Sequence, residues 1–143
     1  MQLTTFLLAD HAEAVNGKLY VTGGCWNVIV VSQLPGGHPH FTVAAALNVP
    51  WQATNQEHSL RLDLVDGNGQ SALPEPLQGH FETGRPPGMR VGDETIVVMA
   101  FNFNGLQLPA AGSYDFVLEV DGTELGRASF KVILIESTTS TGQ

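Results

Sequence analysis

Apolar and polar residues alternate with a period of two through most of this chain, in short segments punctuated by glycine and proline. That period places successive side chains on opposite faces of a strand and predicts antiparallel strands with one face on a core. The clearest segment sets Leu60, Leu62 and Leu64 against Ser59, Arg61 and Asp63, and it ends in Asp66-Gly67-Asn68-Gly69. Asp-Gly and Asn-Gly accept the positive φ angles of a tight hairpin. Further on, Tyr114, Phe116, Leu118 and Val120 alternate with Asp115, Val117, Glu119 and Asp121, and Asp121-Gly122 turns the chain into a second strand over 125–135. A third hairpin is expected from 6–15, a turn at Asn16-Gly17-Lys18 and a long strand over 19–31, with Gly23-Gly24 marking a bulge or bend inside it.

The run 41–49 reads as another strand, stopped by Pro50, because proline removes a ladder donor. Residues 51–57 form a polar connection with room for one short helical turn, and 72–92 carries four prolines with a short strand expected over 78–83. Strand character returns over 93–103. No window of twelve residues sustains the spacing of an amphipathic helix, which disfavours folds with crossover helices. The pattern therefore predicts an all-β fold: a two-sheet antiparallel β-sandwich with immunoglobulin-like or related Greek-key topology. It occupies 1–136 as a single domain, with a polar, flexible tail over 137–143.

Composition narrows the partners. Fourteen acidic residues against six basic ones leave a formal charge of −8, and the cations Lys18, Arg61, Arg85, Arg90, Arg127 and Lys131 are scattered. Phosphate backbones and anionic membrane surfaces require concentrated positive charge, so neither is an expected partner. No apolar run approaches the length of a membrane span and the first residues lack a basic leader segment, so a cytoplasmic location is expected. A single cysteine, Cys25, makes neither an internal disulfide nor a multi-thiolate metal site.

Several blocks carry a family likeness: LLADHAEAVNGKLYVTGGCW, then VPW followed by HSLRLDLVDGNG, then GRPPG, and LPAAGSYDFVLEVDG before FKV. In these the chain resembles a domain-of-unknown-function family of small bacterial, mainly actinobacterial, all-β proteins without assigned activity. The resemblance implies an all-β cytoplasmic protein and transfers no functional residue.

Candidate chemistry is sparse, and no cofactor is expected. His38 and His40 in GGHPHF are the metal candidates, and they need further ligands such as His58, His80 or His11. Cys25 would serve as a nucleophile only in an electropositive, partly exposed pocket, whereas its apolar surroundings predict a buried, inert thiol. Asp10, His11 and Glu13 read as solvent-facing strand residues, and Asp63, Asp66 and Asn68 lack the spacing of a calcium loop. Arg85, held beside two prolines, could fork onto a carboxylate of a partner or of its own domain, and Trp51 is a rim or interface anchor.

The strand over 95–103 is apolar on both faces, with Ile96, Val98 and Ala100 on one and Val97, Met99, Phe101 and Phe103 on the other. Taking the second set as outward predicts a homodimer, the commonest soluble oligomer. The favoured role is a self-associating, non-catalytic interaction or assembly module that is also able to bind another protein. The alternatives are a small metal-dependent or hydrolytic enzyme built on the loop histidines and a carrier of a small apolar ligand.

Overall fold

In a computed structural model describing residues 1–136, the chain forms nine strands and one short 3-10 turn. The strands are β1 (Gln2–Val15), β2 (Lys18–Gly24), β3 (Val28–Val31), β4 (His40–Pro50), β5 (His58–Asp66), β6 (Leu77–Phe81), β7 (Glu94–Asn104), β8 (Gly112–Val120) and β9 (Thr123–Leu134), with the turn at Trp51–Ala53. They make two sheets, ordered β2-β1-β4-β7 and β3-β9-β8-β5-β6. The first is wholly antiparallel. The second is mixed, because β3 runs parallel to β9, which corrects the all-antiparallel expectation. The polar tail expected over 137–143 lies outside the described residues.

The parallel strand has a local cause. The strand expected over 19–31 ends instead at Gly24, since Gly23 at φ 61° and Cys25 at φ 68° turn the backbone out of the extended region. The chain then crosses to the other sheet as β3. The turns at Asn16-Gly17 (φ 50° and 75°) and Asp121-Gly122 (φ 52° and 80°) behave as their sequences predict, closing β1 on β2 and β8 on β9. The Asp66 turn returns only as far as a Val65–Ser71 bridge before the Pro74 and Pro76 segment breaks the pairing, and β6 rejoins β5 at Leu77.

The main core lies between the sheets. Phe41, Val43, Ala45, Leu47 and Val49 of β4 face Leu62 and Leu64 of β5, Phe116 and Leu118 of β8 and Phe130 of β9. At its centre the Phe116 ring lies 6.0 Å from Phe41, 5.2 Å from Phe103 and 5.7 Å from Phe130. Strand β4 is buried on its other face too, where Ala44 packs with Ala9, Ala12, Leu7 and Leu19. Strand β2 also comes close to β7 although β1 and β4 separate them in the sheet, an approach that only strong coiling allows.

Below the core, Tyr114 is buried at the start of β8, and its hydroxyl donates to Ala110 O at 2.7 Å while accepting from Ala110 N at 3.3 Å. The loops cross at close range here: Gly36 and Leu108 exchange two backbone hydrogen bonds, and a side chain at Gly37 would collide with the Leu106 carbonyl. Replacing Tyr114 by Phe removes this tie, and urea unfolding should show a loss of about 1 kcal/mol. An unchanged midpoint would mean that the corner does not hold the loop.

Candidate functional site

The loop histidines disperse. His38 stacks on Trp26 with ring centroids 5.6 Å apart, and its Nδ1 is buried, like Trp26 Nε1, without a hydrogen-bond partner among the described residues. His40 points Nδ1 at Asn104 Oδ1, 2.6 Å away, and sits beside His11, whose Nε2 is 3.1 Å from Glu13 Oε1. Of the further ligands expected, only His11 approaches His40. His80 lies against Glu57, and His58 belongs to a different contact altogether. Among the described residues no three His, Cys, Asp or Glu side chains converge to hold a metal ion.

His58 is the histidine with a built environment. It is 5% exposed, with Nδ1 2.7 Å from Asp121 Oδ2 and Nε2 2.7 Å from the Ala53 carbonyl. Asp121 sits at the tip of the β8–β9 hairpin, where its other oxygen accepts from Ser59 N at 2.9 Å. With acceptors at both nitrogens the ring satisfies both only as an imidazolium. Burial pushes the His58 pKa down, but the hydrogen bonds to Ala53 and Asp121 outweigh it, and the net value lies above the ordinary 6.5. The Asp121 carboxyl is held below its ordinary 3.8 by His58 and by the Ser59 N–H. The sequence carried the Asp-Gly turn but no sign that a histidine 63 residues away in the chain would meet it.

Beside this latch, the guanidinium of Arg85 stacks on the Trp51 ring, 3.5 Å from its centroid, and Arg85 Nε donates to Thr54 Oγ1 at 2.7 Å. Arg85 therefore finds an aromatic face and a hydroxyl within its own chain rather than a carboxylate. Cys25 is exposed just past the end of β2, which overturns the expectation of a buried thiol: at φ 68° its side chain is turned to the surface while its backbone N–H still donates to Leu8 O at 2.8 Å.

Strand β7 closes one edge of its sheet, pairing with β4 alone. The register sets Val97 against Leu47, Met99 against Ala45, Phe101 against Val43 and Phe103 against Phe41. Those β4 residues face the core, so Val97, Met99, Phe101 and Phe103 face it as well. The expected outward set is thus the inward one, and Ile96, Val98 and Ala100 form the outer face, with Ile96 58% exposed. From Thr95 to Asn104 the strand carries no charge.

The other three edges are blunted. β3 has four residues; β6 has five, follows Pro74 and Pro76 and contains Gly79; β2 opens on Lys18 and breaks at Gly23. β7 is the longest edge, with eleven residues, and past Glu94 it has no charge, proline or bulge.

A family model described as "Family of unknown function (DUF6941)" matches residues 4–133, which bears out the resemblance to a domain-of-unknown-function family. No protein of curated function matches the chain in sequence. Among solved structures, the alkylpurine DNA glycosylase AlkC of Pseudomonas fluorescens, bound to DNA containing an abasic site analog, is similar at a TM-score of 0.48 and 12% identity. That similarity covers 92% of this chain but only 30% of the glycosylase. A CARDB domain from Pyrococcus furiosus, in complex with di-metal ions, is similar at a TM-score of 0.35 and 13% identity, covering 94% of this chain and 98% of that one.

Two outcomes follow from the site geometry. Because the folded pKa of His58 is raised, its contribution to stability is complete below pH 6.5 and is lost as pH rises through the higher folded value. Asp121 contributes above pH 3.8 and loses that contribution as pH falls through its lower folded value. Unfolding of the parent and of His58→Asn should therefore differ most between these limits, and the gap should narrow as the pH climbs above neutrality. A gap independent of pH would contradict the ionised latch. Cys25 should react with a thiol reagent in the folded protein as fast as in urea, and protection would contradict its exposure.

Proposed function

We propose, starting from the fact that the chain belongs to the DUF6941 family of unknown function, that it is a non-catalytic interaction and assembly module that joins a second copy through β7. The observation that carries this reading is the edge itself. The eleven-residue strand leaves one row of backbone donors and acceptors unpaired, and past its first residue, Glu94, it lacks the charge, proline or bulge by which soluble proteins discourage pairing. Its exposed outer residue Ile96 and its half-buried neighbours Val98 and Ala100 add apolar surface beside that row.

We read the architecture as an immunoglobulin-like sandwich. Two features support that topology: the order β1-β4-β7 facing β9-β8-β5-β6, and the buried Tyr114 bonded to a backbone four residues upstream, as in the tyrosine corner of such domains. In those domains a disulfide partner sits two residues after that tyrosine, and here the position is Phe116, at the centre of the aromatic cluster. The rings fill the interior that a carrier of an apolar ligand would need to keep open. No described helix is long and apolar enough to cross a membrane.

Light scattering after size exclusion should report a dimer at micromolar concentration, and the double variant Ile96→Lys, Val98→Lys should be a folded monomer. Met99→Lys, in contrast, sets a charge on the partly buried, core-facing side of β7 and should lower the stability of the domain. A parent that stays monomeric throughout, or a charged outer face that leaves the dimer intact, would contradict the reading.

A further inference from the structure

We propose that the two copies join by antiparallel pairing of β7 with β7 of the partner subunit about a two-fold axis at Met99, so that two four-stranded sheets become one continuous sheet. This rests on the self-association reading above and assigns its geometry. A closed pair of identical edges is isologous, and a strand that pairs with itself under a two-fold axis does so antiparallel.

With the axis normal to the sheet, the core-facing residues of one copy continue those of the other, and the axis lies midway between a residue and its own copy. Strand β7 runs Glu94–Asn104, and an axis at Met99 pairs the whole of it. Glu94 then faces Asn104 of the partner subunit, Ile96 faces Asn102 of the partner subunit, and Val98 faces Ala100 of the partner subunit.

The charges agree with this register. Glu94 is the strand's one charged residue, and the axis at Met99 places the two copies of Glu94 at opposite ends of the ladder, each across from an amide. Sliding the axis towards the N-terminal end shortens the ladder and brings the two carboxylates together, which costs free energy when like charges stand opposite. Sliding it the other way leaves Ile96 and its neighbours without partners. Strand β2 comes near β7 but makes no ladder with it, so the edge keeps its hydrogen-bonding groups.

The register is read by cysteine pairs in a Cys25→Ser background, which removes the exposed native thiol. Residues directly opposite across an antiparallel pair have Cβ atoms about 4.5–5.5 Å apart, close to disulfide range, whereas diagonal neighbours lie about 7–8 Å apart. Mixing Val98→Cys with Ala100→Cys chains under mild oxidant should give a cross-linked heterodimer at least tenfold in excess of either homodimer. Cross-linking of Val98→Cys or Ala100→Cys with itself would overturn the axis at Met99 and move it to that residue. A dimer by light scattering that cross-links in no combination would overturn the β7 ladder while leaving self-association standing. A parent that does not associate at all would remove the reading on which the ladder rests.

Discussion

Strand β4 is pinned on both faces, and most of what the fold does follows from that constraint. Its odd-numbered residues from Phe41 to Val49 enter the core between the sheets, while Thr42, Ala44 and Ala46 are buried on the opposite side. A central strand with one wet face would carry polar residues at those even positions. Here they are small, which lets the β1–β2 hairpin pack close over Ala44. A larger side chain at Ala44 would have to displace Ala9 and Ala12, both of which are already buried, and cores tolerate such overpacking poorly.

The same strand decides which face of β7 is which. Because Phe41, Val43, Ala45 and Leu47 point into the core, the β7 residues registered with them do so too, and the aromatic pair Phe41–Phe103 stacks at 5.3 Å. What remains outside is a narrower apolar surface and a long run of unpaired backbone. The apolar excess along 95–103 thus has two separate causes: half of it completes the core, and the other half borders an open edge.

Much of this was legible in the sequence where a local rule was sufficient. The alternation of Tyr114 to Val120, the Asp-Gly and Asn-Gly turns, the strand ending at Pro50 and the short turn after it all appear in place. Period-two patterning cannot say which face of a doubly apolar strand is inward, because that depends on the neighbour's register, and so it leaves Val97, Met99, Phe101 and Phe103 on the wrong side. Nor does it show that Gly23 and Cys25 would end a strand rather than bend it, which sent β3 to the other sheet and Cys25 to the surface. The His58–Asp121 latch and the Arg85–Trp51 stack join segments 63 and 34 residues apart, and no local signal announces such meetings.

We propose that the free edge of β7 is where this protein meets a second copy. Amide hydrogen exchange, resolved by residue and followed as the protein is diluted, tests it most directly, because alternate β7 amides bond to β4 and the rest point away from it. The claim predicts that the outward-pointing β7 amides are protected at high concentration and become fast on dilution, while those of the β3 and β6 edges exchange at the same rate throughout. Outward β7 amides that exchange equally fast at every concentration, with concentration-dependent protection appearing at β3 or β6 instead, would contradict it.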